Sequence, residues 1–307
     1  MIFGFAVALL VTGCGESPNS QSPIAMTFGR TGIGAGEFNY PRAIARAPSG
    51  DIFIVDKGGR LQGFNPDGEF LIAWRMPEIR AGKPTGLGIA PDGRIFAADT
   101  HYARVKIFNP DGTPDGEFGG FGDGPGQFRL PTDVAIDSAG NVYVSEYGGN
   151  DRITRLTPDL QFVRHFPDRE KFPLNRPQSL AFDADGSLWV ADSCNHRIVR
   201  LSPDGDVLAS FGTLGEGPGE FRFPYNVEPL SDGSIVVCEY GNNRVQRMSR
   251  EGKPLGFWGR AGREVGQIAY PWALTVGRDD RVYVVDSGNN RVQVFEGLRR
   301  SSWRDAP

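Results

Sequence analysis

Six carboxylates recur along the chain at nearly even intervals, Asp56, Asp99, Glu146, Asp192, Glu239 and Asp286, and each is followed four to six residues later by an arginine: Arg60, Arg104, Arg152, Arg197, Arg244 and Arg291. An acid beside an arginine can serve acid–base chemistry or hold an anion. Catalysis breaks symmetry, however, and six copies at one repeat position mean that every unit needs the pair. The spacing therefore predicts a structural clamp, in which each carboxylate holds its own loop through hydrogen bonds and the arginine.

Residues that break the symmetry lie close by. A proline recurs in the same register, at Pro41, Pro84, Pro131, Pro177, Pro224 and Pro271, with steps of 43, 47, 46, 47 and 47 that the acids repeat. Behind the prolines stand Arg42, Thr85, Thr132 with Asp133, Gln178 with Ser179, Tyr225 with Asn226, and Trp272; behind the acids stand His101, Tyr102, Tyr147, Cys194, His196 and Tyr240. Taken singly, each reads most simply as a solvated loop residue. As a set they are aromatic and polar, with one clear cation and one clear anion, which suits a small molecule, a glycan, a peptide or a protein partner. The candidate ligand-binding residues are Arg42, Asp133, Tyr147, Gln178, His196, Tyr225, Asn226, Tyr240 and Trp272.

Signatures of catalysis are missing. No Ser sits in a nucleophile elbow, and the repeat geometry brings no Cys to a His. The Gly-rich stretches Gly122-Asp123-Gly124-Pro125-Gly126-Gln127-Phe128 and Gly215-Glu216-Gly217-Pro218-Gly219-Glu220-Phe221 precede no helix, so no helix N-terminus faces an anion there. No catalytic residue and no metal ligand set is assigned, and no cofactor is expected, calcium and zinc being the two metals to consider. The net charge of −4, with mixed signs throughout, leaves no basic excess for a nucleic-acid backbone.

The elements that must position these residues follow from the same register. Between each proline and its acid lie two short apolar runs divided by a turn, such as Ile52-Phe53-Ile54-Val55 after Ser49-Gly50 and Val282-Tyr283-Val284-Val285 after Asp279-Asp280. The arginine opens a third alternating run, as in Arg291-Val292-Gln293-Val294-Phe295, and a second turn such as Asn65-Pro66-Asp67-Gly68 leads to a fourth run ending in an aromatic, as at Trp74, Phe166, Phe211 and Trp258. Four antiparallel strands per period predict an all-β, six-bladed β-propeller, whose closure removes exposed sheet edges. Ile24-Ala25-Met26-Thr27-Phe28-Gly29 matches a fourth-strand ending and is expected to complete the last blade; the rival is Leu298 to Trp303. Cys194 and Cys238 fall in different blades at non-equivalent positions and are expected to be free thiols.

The N-terminal run Met1-Ile2-Phe3-Gly4-Phe5-Ala6-Val7-Ala8-Leu9-Leu10-Val11 is too short to cross a bilayer as a helix and reads as the apolar part of an export signal. It departs from that pattern in having no basic start, for the first basic residue is Arg30. Val11-Thr12-Gly13-Cys14 resembles a bacterial lipobox, which implies lipidation of Cys14. A packed N-terminal strand or helix is the alternative; the polar stretch 15–23 that follows reads instead as a flexible tether. The expected organisation is a signal over 1–14, a tether over 15–23, a propeller over 24–297 and a tail over 298–307. Such a protein would be exported, held to a bacterial membrane through its lipid alone, and monomeric.

Asp192-Ser193-Cys194-Asn195-His196-Arg197, Glu239-Tyr240-Gly241-Asn242-Asn243-Arg244 and Asp286-Ser287-Gly288-Asn289-Asn290-Arg291 resemble NHL repeats. The resemblance implies a propeller that binds ligands on the face bearing the variable loops. Leu130-Pro131-Thr132-Asp133-Val134-Ala135-Ile136 with Val144-Ser145-Glu146-Tyr147 further resembles the propeller of peptidyl-α-hydroxyglycine amidating lyase, which holds a catalytic zinc on three histidines beside an arginine and a tyrosine. Arg42 and Tyr147 are available for the last two roles. The histidine positions hold Gln178, Tyr225 and Trp272, and only His101, His165 and His196 exist in the chain, so the zinc set is not matched. Calcium-dependent lactonases also use six-bladed propellers, and Asp133 with Asn226 supplies two oxygen ligands where calcium takes six to eight. Binding is the expected function; a lyase- or lactonase-like enzyme on the same face is the alternative.

Overall fold

The computed structural model describes residues 24–300, 303 and 304. Six four-stranded antiparallel sheets make the blades. The first comprises Pro41–Arg46, Ile52–Asp56, Arg60–Phe64 and Phe70–Arg75; the second Gly86–Ile89, Ile95–Asp99, Arg104–Phe108 and Pro114–Gly119. The third runs through Leu130–Ile136, Val142–Tyr147, Arg152–Leu156 and Phe162–Phe166, and the fourth through Pro177–Phe182, Leu188–Asp192, Arg197–Leu201 and Val207–Phe211. The fifth comprises Pro224–Pro229, Ile235–Glu239, Arg244–Met248 and Pro254–Trp258, and the sixth Ala273–Val276, Arg281–Asp286, Arg291–Glu296 and the N-terminal Ile24–Phe28.

That last strand closes the ring as the Phe-Gly ending predicts, pairing Met26 with Val294 and Phe28 with Val292. The C-terminal segment does something else: Arg304 pairs with Phe257 at the outer edge of blade five, and the Trp303 ring meets Phe295 edge-on at 5.2 Å while its Nε1 donates to the Gly297 carbonyl at 2.6 Å. Cys194 and Cys238 are both free.

The aromatic ending of each outer strand and the glycine of the Pro-Asp-Gly turn prove to be one device. Gly68 and Gly205 take φ of 78° and 90°, and a side chain at either would strike the ring of Phe28 or Phe166 on the preceding blade. At these two turns glycine serves twice over, for its dihedral and for the ring beneath it. Blade-to-blade cores repeat this pattern, with second and third strands almost wholly buried, as in Ile52, Ile54, Phe64, Tyr283 and Val292 between blades six and one.

One irregularity matters for the site. In blades one, three, four and five the inner strand slips by a residue just after its proline, so that Pro41 faces Asp56 but Ala43 faces Val55, and likewise between Pro131 and Asp133, Pro177 and Ser179, and Pro224 and Asn226. Such a bulge re-aims a side chain. The residues so displaced are Arg42, Thr132, Gln178 and Tyr225.

Candidate functional site: the mouth of the central channel

The acid–arginine pairs are structural clamps, and they hold more than the loop behind them. Asp192 accepts hydrogen bonds from Arg197 Nε at 2.7 Å and from the Asn175 N–H at 2.7 Å, and Arg197 donates onward to the Pro173 carbonyl. In blade six Asp286 likewise takes Arg291 Nε and the Ala269 N–H, each at 2.7 Å. Each clamp thus joins two loops on one face: the loop after the second strand and the loop arriving from the preceding blade. Blade two departs from this, for Asp99 keeps Arg104 at 3.1 Å but leaves Oδ1 buried without a partner. With the rim of this face fixed, the inner strands surround a cavity of about 270 Å³ lined by Arg42, Asp133, Gln178, Tyr225, Asn226 and Trp272, among others.

An aromatic wall stands at the mouth. Tyr225 stacks on Tyr240 at 4.6 Å, and both meet Trp272 edge-on at 5.1 and 5.7 Å. Tyr40 and Tyr270 extend the wall, at 6.0 Å from Trp272 and 5.4 Å from Tyr240. Burial, reinforced by a side-chain hydrogen bond to Tyr240, pushes the Tyr40 hydroxyl far above its ordinary value, and burial raises Tyr225 too. These phenols stay neutral at physiological pH.

Two arginines flank the wall. The Arg42 guanidinium lies 5.0 Å from the Trp272 ring centroid. Its Nε is buried without a hydrogen-bond partner, as is the Trp272 Nε1, and burial draws its pKa below the ordinary arginine value. Arg176 sits 4.9 Å from the Tyr147 ring and 5.8 Å from Tyr225, and its Nε donates to Gln178 Oε1 at 3.2 Å. Among the described residues neither cation has an ion pair, whereas the repeat arginines all do.

Sequence reasoning missed Tyr40, Arg176 and Tyr270. Each immediately precedes a repeating proline and, with Phe223, takes a positive φ between 49° and 56°. A residue before proline normally avoids that region, so its recurrence marks a strained rim held by the surrounding loops. The signal available was position, one residue before each repeating proline rather than one after it.

Asp133 and Asn226 lie deeper than a mouth residue should. Asp133 is 7 % exposed and accepts the Leu180 N–H of the next blade at 2.9 Å; Ser179 accepts the Val227 N–H at 3.1 Å, and Asn226 the Leu274 N–H at 3.4 Å. These three side chains stitch the inner strands of blades three to six. Gly86 serves the same crowding, because blade three's inner strand passes too close for any side chain there. Ser179→Ala is expected to cost about 1–2 kcal/mol in urea denaturation by orphaning the Val227 N–H. Burial pushes the Asp133 carboxyl up to about 7 against the three backbone N–H groups that lower it.

His196 is not part of the wall. Its ring meets Phe223 edge-on at 4.8 Å and its Nδ1 accepts the Phe223 N–H at 3.2 Å, an interblade contact. Thr85 and Thr132 are likewise spent on joining blades, bonding the carbonyls of Thr132 and Pro177. His165 lies on an outer strand against Thr154. Among the described residues no three His, Cys, Asp or Glu side chains converge on a common point, so a three-histidine zinc site does not fit this mouth. Cys14 lies outside the described residues.

The architecture is that of a six-bladed β-propeller, and the NHL-repeat family pattern matches residues 174–201 and 269–295. The chain is similar to NHL repeat-containing protein 3 of Mus musculus, 29% identical over an alignment of 198 residues that covers 57% of this chain and 56% of that one. It thus spans about half the length of that relative. A probable peptidyl-α-hydroxyglycine α-amidating lyase of Caenorhabditis elegans is 26% identical over 192 residues, covering 53% and 54% of the two chains. Among solved structures, a gluconolactonase of Xanthomonas campestris superposes with a TM-score of 0.65 at 15% identity, over 85% of this chain and 87% of that one, a likeness of fold.

Proposed function

We propose that the propeller binds a small ligand, bearing a carboxylate and a flat apolar group, at the channel mouth on its variable-loop face. One observation carries this reading: Arg42 is a half-buried cation with no anionic partner among the described residues, laid against Trp272, with buried N–H groups of both side chains unpaired. An unpaired buried cation is costly unless something supplies its counter-charge, and a planar guanidinium suits a carboxylate. The aromatic wall of Tyr225, Tyr240 and Trp272 offers its faces and edges to a flat group. Gln178, 4 % exposed, adds an amide at the same level.

The test is isothermal titration with N-acetyl-Gly-Phe, which carries a carboxylate and a ring but no amine. Arg42→Gln is expected to weaken binding at least tenfold, the worth of a charge-assisted hydrogen bond, with the melting temperature of the ligand-free protein unchanged or raised. Equal affinity in the two proteins would refute the role given to Arg42.

The same proposal sets the protein outside the cytoplasm, anchored through Cys14. Outer strands run from the Pro-Asp-Gly turns toward the variable loops, so Ile24 enters blade six on the turn face. A lipid at Cys14 would then draw the turn face to the membrane and leave the mouth open to solvent. A second reading, an enzyme of the lyase or lactonase sort at this mouth, draws on Asp133, whose carboxyl burial pushes up to about 7, toward the range where a general base works. Its commitment to the Leu180 N–H ranks that reading second.

A further inference from the structure

The inner strands line the cavity with small residues at one level: Ala45, Gly88, Ala135, Ala181 and Thr275 face Phe53, Phe96, Tyr143, Trp189 and Tyr283 on their second strands. In blade five that level holds Glu228, facing Val236. Among the described residues no side chain or backbone group hydrogen-bonds or ion-pairs with its carboxylate. The charged groups that act on it are Asp133, which opposes ionisation, and Arg46, which favours it from the channel floor while bonded to the Val276 carbonyl at 2.8 Å. An unpartnered carboxylate inside a propeller channel is costly, and five blades show that a small residue serves the fold at this level.

A second feature of the cavity points the same way. Gln178 is 4 % exposed, lines the cavity, and engages only its Oε1, with Arg176; its NH₂ has no partner among the described residues. Polar groups so placed call for a ligand that reaches down from the mouth. Arg42 corresponds in register to Tyr225, three residues above Glu228, which at the rise of a strand is about 10 Å along the channel. We infer that the channel takes a zwitterion in extended form, its carboxylate at Arg42 and Arg176, and its ammonium group at Glu228. An extended tripeptide spans about that distance. The level of Ala, Gly and Thr leaves space for an extended backbone beside Glu228, while the wall at the mouth receives an aromatic C-terminal residue, so a peptide of the form Gly-Gly-Phe has the matching length.

This inference rests on the mouth reading above, and the test separates the two. Gly-Gly-Phe and N-acetyl-Gly-Gly-Phe are titrated into the full chain, into Glu228→Gln and into Arg42→Gln. The free amine is expected to bind the unaltered protein at least tenfold more tightly than the acetylated peptide, and that preference is expected to vanish in Glu228→Gln. Arg42→Gln is expected to weaken both peptides. Should Glu228→Gln fold poorly, Glu228→Ala, which gives blade five the small residue of its neighbours, is expected to show the same lost preference. Equal binding of the two peptides to the unaltered protein, or a preference that survives in the Glu228 variants, would overturn the inference while leaving the mouth reading in place. Failure of both peptides to bind would overturn both.

Discussion

Replacing Asp192 by Ala is expected to lower the unfolding free energy by about 3–5 kcal/mol, the cost of removing one partner from a buried ion pair. Asp192 is fully buried, and its two oxygens take Arg197 Nε, Asn195 Nδ2 at 2.9 Å and the Asn175 N–H. Alanine would strand the Arg197 guanidinium among carbonyls and free the loop that delivers Arg176 to the mouth. The exposed pair of Arg94 with Asp92 offers the contrast, since such pairs contribute about 0–1 kcal/mol. Asp99→Ala should fall between the two, because Asp99 lacks the backbone donor its counterparts enjoy and already leaves one oxygen unpaired. Urea denaturation of the three variants checks the order. If Asp192→Ala proved as mild as Asp92→Ala, the clamps would not hold the rim.

The second large effect is one of pH. Burial and then the charge of Asp133 push the Glu228 carboxyl up to about 8, from an ordinary value of 4.5. The folded chain therefore holds this proton more tightly than the unfolded chain does. By linkage its contribution to stability is intact below about pH 4.5 and is lost as the pH climbs to about 8. Asp133, pushed to about 7, acts with the same sign. Glu228→Ala is thus expected to be more stable than the unaltered protein by about 2–4 kcal/mol near pH 9 and by little near pH 5, the figure being reduced because Glu228 is only partly buried. Melting curves across that range provide the check, and parallel profiles for the two proteins would contradict it.

The blades were legible because two independent markers, proline and acid, share one period, and because the aromatic ending of each outer strand is the contact that joins it to the next blade. The mouth was legible in part. Arg42, Gln178, Tyr225 and Trp272 follow prolines and line the cavity as expected, and Tyr240 and Tyr147 arrive from the clamped loops beside them. His196 stands in the same kind of loop, but the left-handed turn ending its short 3-10 segment accompanies a ring that faces Phe223. No spacing distinguishes those two outcomes. Asp133 and Asn226 were placed at the mouth because they stand just behind the repeating prolines, but an inner strand flanked by two neighbours leaves N–H groups that a side-chain oxygen must satisfy. Glu228 is the one acid at a level of Ala, Gly and Thr, a departure present in the repeat register but set away from the variable loops.

The central claim is that Arg42 and Trp272 await a ligand's anion at the channel mouth. Heteronuclear NMR reads it most directly, through the Arg42 Nε–H and Trp272 indole N–H signals during titration with N-acetyl-Gly-Phe. Both resonances are expected to move downfield together and saturate at a single affinity. Signals that stay still while the peptide binds elsewhere would contradict the account.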